Sequence, residues 1–319
     1  MNKQLLPVSL IIPVFNAESW IDSCLENIFS EKYLPDEIII VDDFSSDKTV
    51  GLIESSRHHN NIKLIKHTKN KYAAQARYTG LKAAKNDYIV FLYVDDRLSK
   101  NAIFTAYNDI IERDLSFSIF NLFEIDGKNE KRRRMSFDWE IISGSDALKK
   151  TIFGWSIHGW GLAKKSLWLE AYQSIISELP EAFDADEIIV RFFLRSCDRI
   201  GINGSEYIIT LNPRSTTQII GNHHVSGLKS RVFLFDFYLH HGLVSYGQYA
   251  ALYFDYANYF LGISRYLKWA NYSSEINFYY ESFRPPVKIQ GNLGRYIICE
   301  IKKNYLLVKI IINYLKSIV

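Results

Sequence analysis

The chain has 319 residues, of which 48% are hydrophobic and 23% are charged, and its formal net charge at pH 7 is +3. This composition can form a full hydrophobic core, and it excludes a disordered chain, a collagen-like repeat and a coiled coil. The near-neutral charge gives no indication of a nucleic-acid partner, and we expect none.

The first hundred residues alternate between two hydrophobic periods. Continuous apolar runs cover residues 8–14, 37–41, 62–65 and 88–92, and helical periodicity appears after Asn16, from Asp47 to about Arg57, and from Ala73 to Ala84. Continuous apolar runs are typical of strands that are covered on both faces. The alternation therefore predicts an α/β fold with a Rossmann-like, mostly parallel, doubly wound sheet, and we expect Asn16 to cap the first helix.

The pattern becomes mixed beyond residue 96. It predicts a helix over 102–113, a strand over 117–123, a charged hairpin over 126–134 and a helix that opens at residues 184–187. The basic residues of the hairpin indicate a solvated turn or a grip on phosphate. From about Gly227 the sequence predicts helices rich in Tyr and Phe, so we expect two domains, 1–226 and 227–319.

Three widely spaced cysteines, Cys24, Cys197 and Cys299, lack any CxxC pair. Their number and spacing argue against a disulfide framework or a zinc ribbon and favour the cytoplasm. No run of about 18 apolar residues occurs, so a membrane-spanning helix is not expected.

Polar residues follow three of the predicted strands. Ligands of doubly wound sheets bind outside the carboxyl ends of the strands, where loops from neighbouring strands meet. The residues at these ends are Phe15 and Asn16, Asp42 and Asp43, and Asp95 and Asp96. We therefore expect them to converge on one edge of the sheet and to bind a ligand there.

Several segments resemble the motifs of family 2 glycosyltransferases. The strongest are IPVFNAE at residues 12–18 and VDDFSSDKT at 41–49; others are Asn70, ARYTGL at 76–81, FLYVDD at 91–96, Trp160-Gly161 with Lys164-Lys165, and ADE at 185–187. The resemblance covers about residues 7–215. It implies a GT-A fold, a nucleotide-diphosphate sugar donor, with a UDP-sugar favoured, and inversion at the anomeric carbon by a single displacement.

The resemblance also implies roles for particular residues. The nucleotide sugar would contact Pro13, Phe15, Asn16, Asp42, Asp43, Arg77 and Asp95; Mg²⁺ or Mn²⁺ would be held by Asp95 and Asp96; the catalytic base would be Asp186; and the acceptor side would include Trp160 and Glu187. Carboxylates suit both the metal and the base. Each has a structural alternative: the paired acidic residues can cap helices or form turns, and Arg77 can pair with a surface carboxylate.

The chain departs from the family pattern at four positions. Tyr93 stands where an aspartate is usual, Tyr72 lies near the position of the usual glycine after Asn70, Tyr78 replaces an asparagine, and Ala185 replaces a glutamate. Tyr93 and Ala185 motivate a second hypothesis, a non-catalytic subunit that binds a nucleotide sugar or a glycan in a polysaccharide assembly.

The C-terminal segment 295–318 has a helical apolar stripe flanked by Lys302, Lys309 and Lys316. Such a helix can lie on an anionic membrane surface, or it can pack on its own domain or on a second subunit of a homo-oligomer. The family resemblance implies an acceptor that is a glycan or a lipid-linked oligosaccharide, as in capsule, O-antigen or exopolysaccharide synthesis, and it favours the membrane surface. We expect the enzyme in the cytoplasm, at the inner face of the membrane.

Overall fold

The structure, a computed structural model, describes residues 3–126, 128–152, 156–177 and 185–211, with 233–234, 237–238 and 241–243. Its strands are β1 (Gln4–Val14), β2 (Tyr33–Asp42), β3 (Ile62–Lys66), β4 (Tyr88–Phe91), β5 (Arg97–Leu98), β6 (Phe117–Ile125), β7 (Lys131–Arg133), β8 (Ile141–Ser143), β9 (Gly161–Lys164) and β10 (Arg199–Thr210). Its helices are α1 (Ile21–Phe29), α2 (Thr49–Ser55), α3 (Tyr72–Ala83), α4 (Ala102–Arg113), α5 (Gly144–Lys150), α6 (Lys165–Ile175) and α7 (Ala185–Ser196), with a 3₁₀ turn at His59–Asn61.

The strands form one sheet with the order β3-β2-β1-β4-β9-β6-β10-β5, and β7 and β8 pair with β6 and β10. The first four strands are parallel to their neighbours, and β6 is parallel to β10. Strand β9, between β4 and β6, is antiparallel to both, and the short strands β5, β7 and β8 are also antiparallel to their partners. The carboxyl ends of β1, β2, β3, β4, β6 and β10 therefore lie at the same edge of the sheet.

Side chains of β1 alternate between two covered faces of the sheet. Leu10 and Ile12 lie in the core cluster that includes Ile21 of α1 and Ala106 of α4. On the other face, Ile11 meets α3, where a Cβ added at Gly80 would lie 2.4 Å from the Ile11 Cγ2. Helices thus cover both faces, as the continuous apolar run of this strand predicts.

The four predicted strands, the doubly wound arrangement and the 102–113 helix are confirmed. The expectation that Asn16 caps the first helix is wrong: α1 begins at Ile21, and the Asn16 Oδ1 accepts a hydrogen bond from the Ser46 backbone N–H (2.8 Å). Helix α2 ends at Ser55, two residues earlier than predicted.

The charged segment forms the predicted hairpin, with β7 antiparallel to β6. Three of its basic side chains pair with carboxylates: Lys131 with Glu206, Arg132 with Glu130, and Arg134 with Glu124. This pairing supports the solvated-turn interpretation, because exposed ion pairs of this kind are common on surfaces.

The described residues up to Leu211 belong to one compact unit. The predicted boundary at residue 226 and the basic segment 295–318 lie outside the described residues, so both stay predictions. Within the described ranges, every helix is too short or too polar to cross a lipid bilayer.

Candidate active site

The loops after β1 and β2 are joined by hydrogen bonds. The Asn16 backbone N–H donates to the Ser45 Oγ (2.9 Å), and the Asn16 side chain accepts from the Ser46 N–H. Asn16 adopts a φ of +48°, a conformation that asparagine tolerates better than most residues. These bonds hold the residues that follow the two central strands in one fixed arrangement.

Asp43 lies at the centre of a buried hydrogen-bond network. Its Oδ1 accepts from the His67 Nδ1 (2.7 Å) and from the Lys71 backbone N–H (2.9 Å). The His67 Nε2 contacts the Thr79 Oγ1 on α3 (2.9 Å). The ring therefore links the ends of β2 and β3 to α3 and fixes the orientation of the Asp43 carboxylate.

Asp42 is 2% exposed, and its Oδ2 accepts from the Ser45 backbone N–H (3.2 Å). Its Oδ1 is buried and has no hydrogen-bond partner among the residues that the structure describes. A buried carboxylate oxygen without a donor is costly, and nearly all such groups in proteins are satisfied. The Asp42 Oδ1 thus provides an acceptor for a hydroxyl or N–H donor of a ligand.

Arg77 projects from α3 and is almost fully buried. Its guanidinium lies 5.8 Å from the ring centroid of Phe91 and 5.6 Å from that of Tyr93, and it interacts with the Tyr172 hydroxyl. Burial alone would lower the pKa of Arg77, but Tyr172, Tyr93 and the Asp186 carboxylate raise it above its ordinary value. The Arg77 Nε has no partner in the described part of the chain. Arg77 is therefore a permanent buried cation with an unused donor.

Asp96 is buried and is held by β10. Its Oδ2 accepts from the Tyr207 hydroxyl (2.8 Å), and its Oδ1 accepts from the Thr210 backbone N–H (3.0 Å). Burial, followed by the nearby Asp95 carboxylate, raises the pKa of Asp96 to about 7. Both Asp96 oxygens are thus engaged in fixing the β4 loop to β10.

The described carboxylates do not form a complete ligand set for a divalent cation. No group of three or more His, Cys, Asp or Glu side chains in the described ranges is arranged to hold a metal. Asp96 uses both oxygens within the protein, Tyr93 offers no carboxylate, and Asp95 is half-buried. Family 2 glycosyltransferases commonly use divalent metals, and Mg²⁺ or Mn²⁺ at Asp95 and Asp96 stays a prediction.

Asp186 lies in the first turn of α7 and is half-buried. Its Oδ1 accepts from the Glu187 backbone N–H (3.1 Å), and its charge acts on Arg77 and Tyr93. Glu187 points to a different partner, since its Oε2 lies 3.8 Å from the Arg191 Nη1. The structure thus brings the predicted base near the buried arginine.

Trp160 is half-buried beside the tyrosines of this site. Its ring centroid lies 5.1 Å from that of Tyr207 and 6.5 Å from that of Tyr93. Pro13 is buried in β1, where it pairs with Val41 of β2. It lies one residue before the end of β1, close to the site in sequence, and its contact with the nucleotide stays a prediction.

Sequence reasoning missed His67 and Tyr207. His67 directly follows β3, so the rule that points to strand ends could have found it. Tyr207 lies inside the last strand and contacts Asp96 across 111 positions of sequence. No local pattern indicates that contact.

Acidic side chains and a buried arginine at the carboxyl edge of a doubly wound sheet are typical of ligand-binding α/β domains. Residues 9–167 match the family model for glycosyl transferase family 2. The chain belongs to this family and is a glycosyltransferase.

Relatives with known names agree with this assignment. The chain is 27% identical over 222 residues to glycosyltransferase GlyG of Streptococcus pneumoniae, which covers 63% of this chain and 69% of GlyG. It is 30% identical over 127 residues to the poly(ribitol-phosphate) beta-glucosyltransferase of Bacillus spizizenii, covering 39% of this chain but only 20% of that enzyme.

Solved structures share the fold. S. aureus TarS 1–349 superposes with a TM-score of 0.57 at 16% identity, covering 83% of this chain and 75% of TarS 1–349. The same TarS fragment has been crystallised with UDP and with UDP-GlcNAc.

Proposed function

We propose that the chain transfers a sugar from a nucleotide-diphosphate sugar to a hydroxyl of a glycan or lipid-linked acceptor, with inversion, in the synthesis of a bacterial surface polysaccharide. A UDP-sugar is the favoured donor. The UDP and UDP-GlcNAc complexes of TarS support this donor, and the name of the poly(ribitol-phosphate) enzyme supports a cell-surface acceptor.

The observation that carries the proposal is a pair of buried polar atoms without partners among the described residues, the Asp42 Oδ1 and the Arg77 Nε. The first is an acceptor and the second is a cationic donor. A nucleoside diphosphate supplies the complement to both, because its base and ribose carry N–H and O–H donors and its diphosphate carries negative charge.

The reaction needs one proton acceptor and one stabilised leaving group. In a single displacement, the acceptor oxygen bonds to the anomeric carbon while the bond to the diphosphate oxygen breaks on the opposite face. The hydroxyl proton passes to the Asp186 carboxylate, and the leaving diphosphate gains negative charge. Arg77 is the fixed cation suited to stabilise that charge, because it is buried and cannot lose its proton.

A substitution at Asp186 tests the catalytic part. Asp186→Asn should lower transfer by about 10²-fold or more, the range expected for removing a general base, while UDP affinity stays within about threefold. Asp22→Asn is the matched control, since it makes the same substitution at an exposed carboxylate in the first turn of α1, and it should keep transfer above about half of the wild-type rate. Product formation by mass spectrometry and isothermal titration give the two readouts.

The titration also identifies the donor base and separates the two hypotheses. UDP, GDP, CMP and dTDP are titrated with and without Mn²⁺. Selective UDP binding with turnover supports the proposal. Binding without turnover of any donor and acceptor pair would support the non-catalytic subunit instead, and unchanged transfer in Asp186→Asn would remove this residue from the base role.

A further inference from the structure

Three large aromatic residues are exposed in the loops near the buried carboxylates. Phe15, Phe44 and Tyr72 are 49%, 55% and 52% exposed. They lie in the loops after β1 and β2 and at the start of α3, which follows β3. We call these three residues the aromatic rim. Exposed aromatics that gather at one place on a surface indicate a binding site more often than scattered ones do.

Hydrogen bonds place the members of the aromatic rim side by side along the sheet edge. The backbone N–H of Asn16, which follows Phe15, donates a hydrogen bond to the Oγ of Ser45, which follows Phe44 (2.9 Å). On the other side of Phe44, the Asp43 Oδ1 accepts from the backbone N–H of Lys71 (2.9 Å). Tyr72 directly follows Lys71, so all three residues lie in chain segments that are bonded to one another beside Asp42 and Asp43.

Two members of the rim have an unfavourable backbone conformation. Phe44 has a φ of +70° and Tyr72 a φ of +67°. Glycine adopts such angles without steric cost, whereas aromatic residues seldom do. Packing in the core does not offset this conformational energy, because both residues are half exposed. Non-glycine residues held in such conformations cluster at ligand-binding sites.

We propose that Phe44 and Tyr72 stack on the nucleobase of the donor and that they determine part of the affinity for it. This inference rests on the proposed function. A nucleobase fits both features of the place: its flat face suits an aromatic ring, and its N–H edge or the ribose hydroxyls suit the unpartnered Asp42 Oδ1. Phe15, already predicted to contact the nucleotide, completes the rim.

Asparagine substitutions test the rings separately from the backbone. Asparagine tolerates a positive φ, so Phe44→Asn and Tyr72→Asn remove the ring without adding strain. Each should weaken UDP binding about tenfold in isothermal titration, the lower range for loss of one stacking contact. Inorganic pyrophosphate, which has no base, should bind both variants as it binds the wild type, and the melting temperature should not fall.

Two further variants separate the stacking role from a structural one. Ile111→Asn removes an apolar side chain of similar exposure (54%) from α4 and should leave UDP affinity unchanged. Tyr72→Phe keeps the ring and should recover the affinity that Tyr72→Asn loses.

The outcomes distinguish this inference from the function on which it rests. Equal UDP affinity in the wild type, Phe44→Asn and Tyr72→Asn would overturn the stacking role and leave the proposed function standing. An equal loss for UDP and pyrophosphate would also overturn it, because the base would then play no part. Failure of the wild type to bind any nucleotide would overturn both.

Discussion

Removing the ring of His67 should damage both the stability of the domain and its nucleotide site. The ring is buried, with 4% of its side chain exposed, and the carboxylate of Asp43 is equally buried. His67→Leu keeps a similar volume but leaves the Asp43 Oδ1 with the Lys71 N–H as its one remaining described donor and removes the contact to Thr79. A buried hydrogen bond to a charged group contributes about 1.5–3 kcal/mol, and a neutral one about 1 kcal/mol.

We therefore expect His67→Leu to lower the free energy of unfolding by about 3 kcal/mol. Urea unfolding at pH 7, followed by circular dichroism, measures this change. Thr79→Val is the matched control, because it removes only the Nε2 contact and should cost about 1 kcal/mol. UDP titration of the same variants should show weaker binding for His67→Leu, since Asp43 loses its fixed orientation, and little change for Thr79→Val.

A cost below about 0.5 kcal/mol for His67→Leu would refute the reasoning, because surface substitutions commonly give changes of that size. Equal costs for His67→Leu and Thr79→Val would refute the larger share given to the Asp43 bond.

Two further predictions concern packing and a buried thiol. Gly80→Ala should destabilise the domain by about 1–3 kcal/mol, because its Cβ would lie 2.4 Å from the Ile11 Cγ2. Gly51→Ala in α2 should stabilise the domain by about 0.5–1 kcal/mol, because its Cβ would have no atom within 4 Å and alanine favours the helix. Urea unfolding of the two variants measures both changes. Burial, followed by the Asp95 and Asp96 carboxylates, raises the pKa of the Cys24 thiol to about 12, so the folded protein should leave this thiol unmodified by iodoacetamide at pH 8 and label it only in urea. Labelling of native Cys24 within minutes, measured by peptide mass spectrometry, would contradict the burial.

The first half of the fold could be predicted from the sequence because its signals are local. Continuous apolar runs such as residues 8–14 mark buried parallel strands, and short polar turns after them mark the ligand edge. The predicted convergence of the loops after β1, β2 and β4 on one edge follows from strand direction, and the parallel pairing of these three strands confirms it.

The rest depends on contacts between distant segments. The reversal of β9 between β4 and β6 has no counterpart in the local hydrophobic pattern, because the apolar residues of a four-residue strand do not specify the direction in which it pairs. Likewise, Asn16 does not cap α1, because its side chain accepts a hydrogen bond from the Ser46 backbone N–H, 30 residues away in the sequence. Side-chain caps compete with such partners whenever another loop comes close.

Tyr93 shows how a departure from the family pattern changes the electrostatics of the site. An aspartate at this position would place a second carboxylate near Arg77, whereas the tyrosine presents its ring to the guanidinium at 5.6 Å. Its backbone N–H meanwhile bonds the Tyr207 hydroxyl (3.1 Å), which in turn donates to Asp96. The carboxylate of Asp186 helps to raise the pKa of Arg77 above its ordinary value. Because fewer protein anions compensate this buried cation, a diphosphate that reaches it meets a larger net positive charge, and we expect Arg77 to contribute more to donor binding here than it would beside an aspartate.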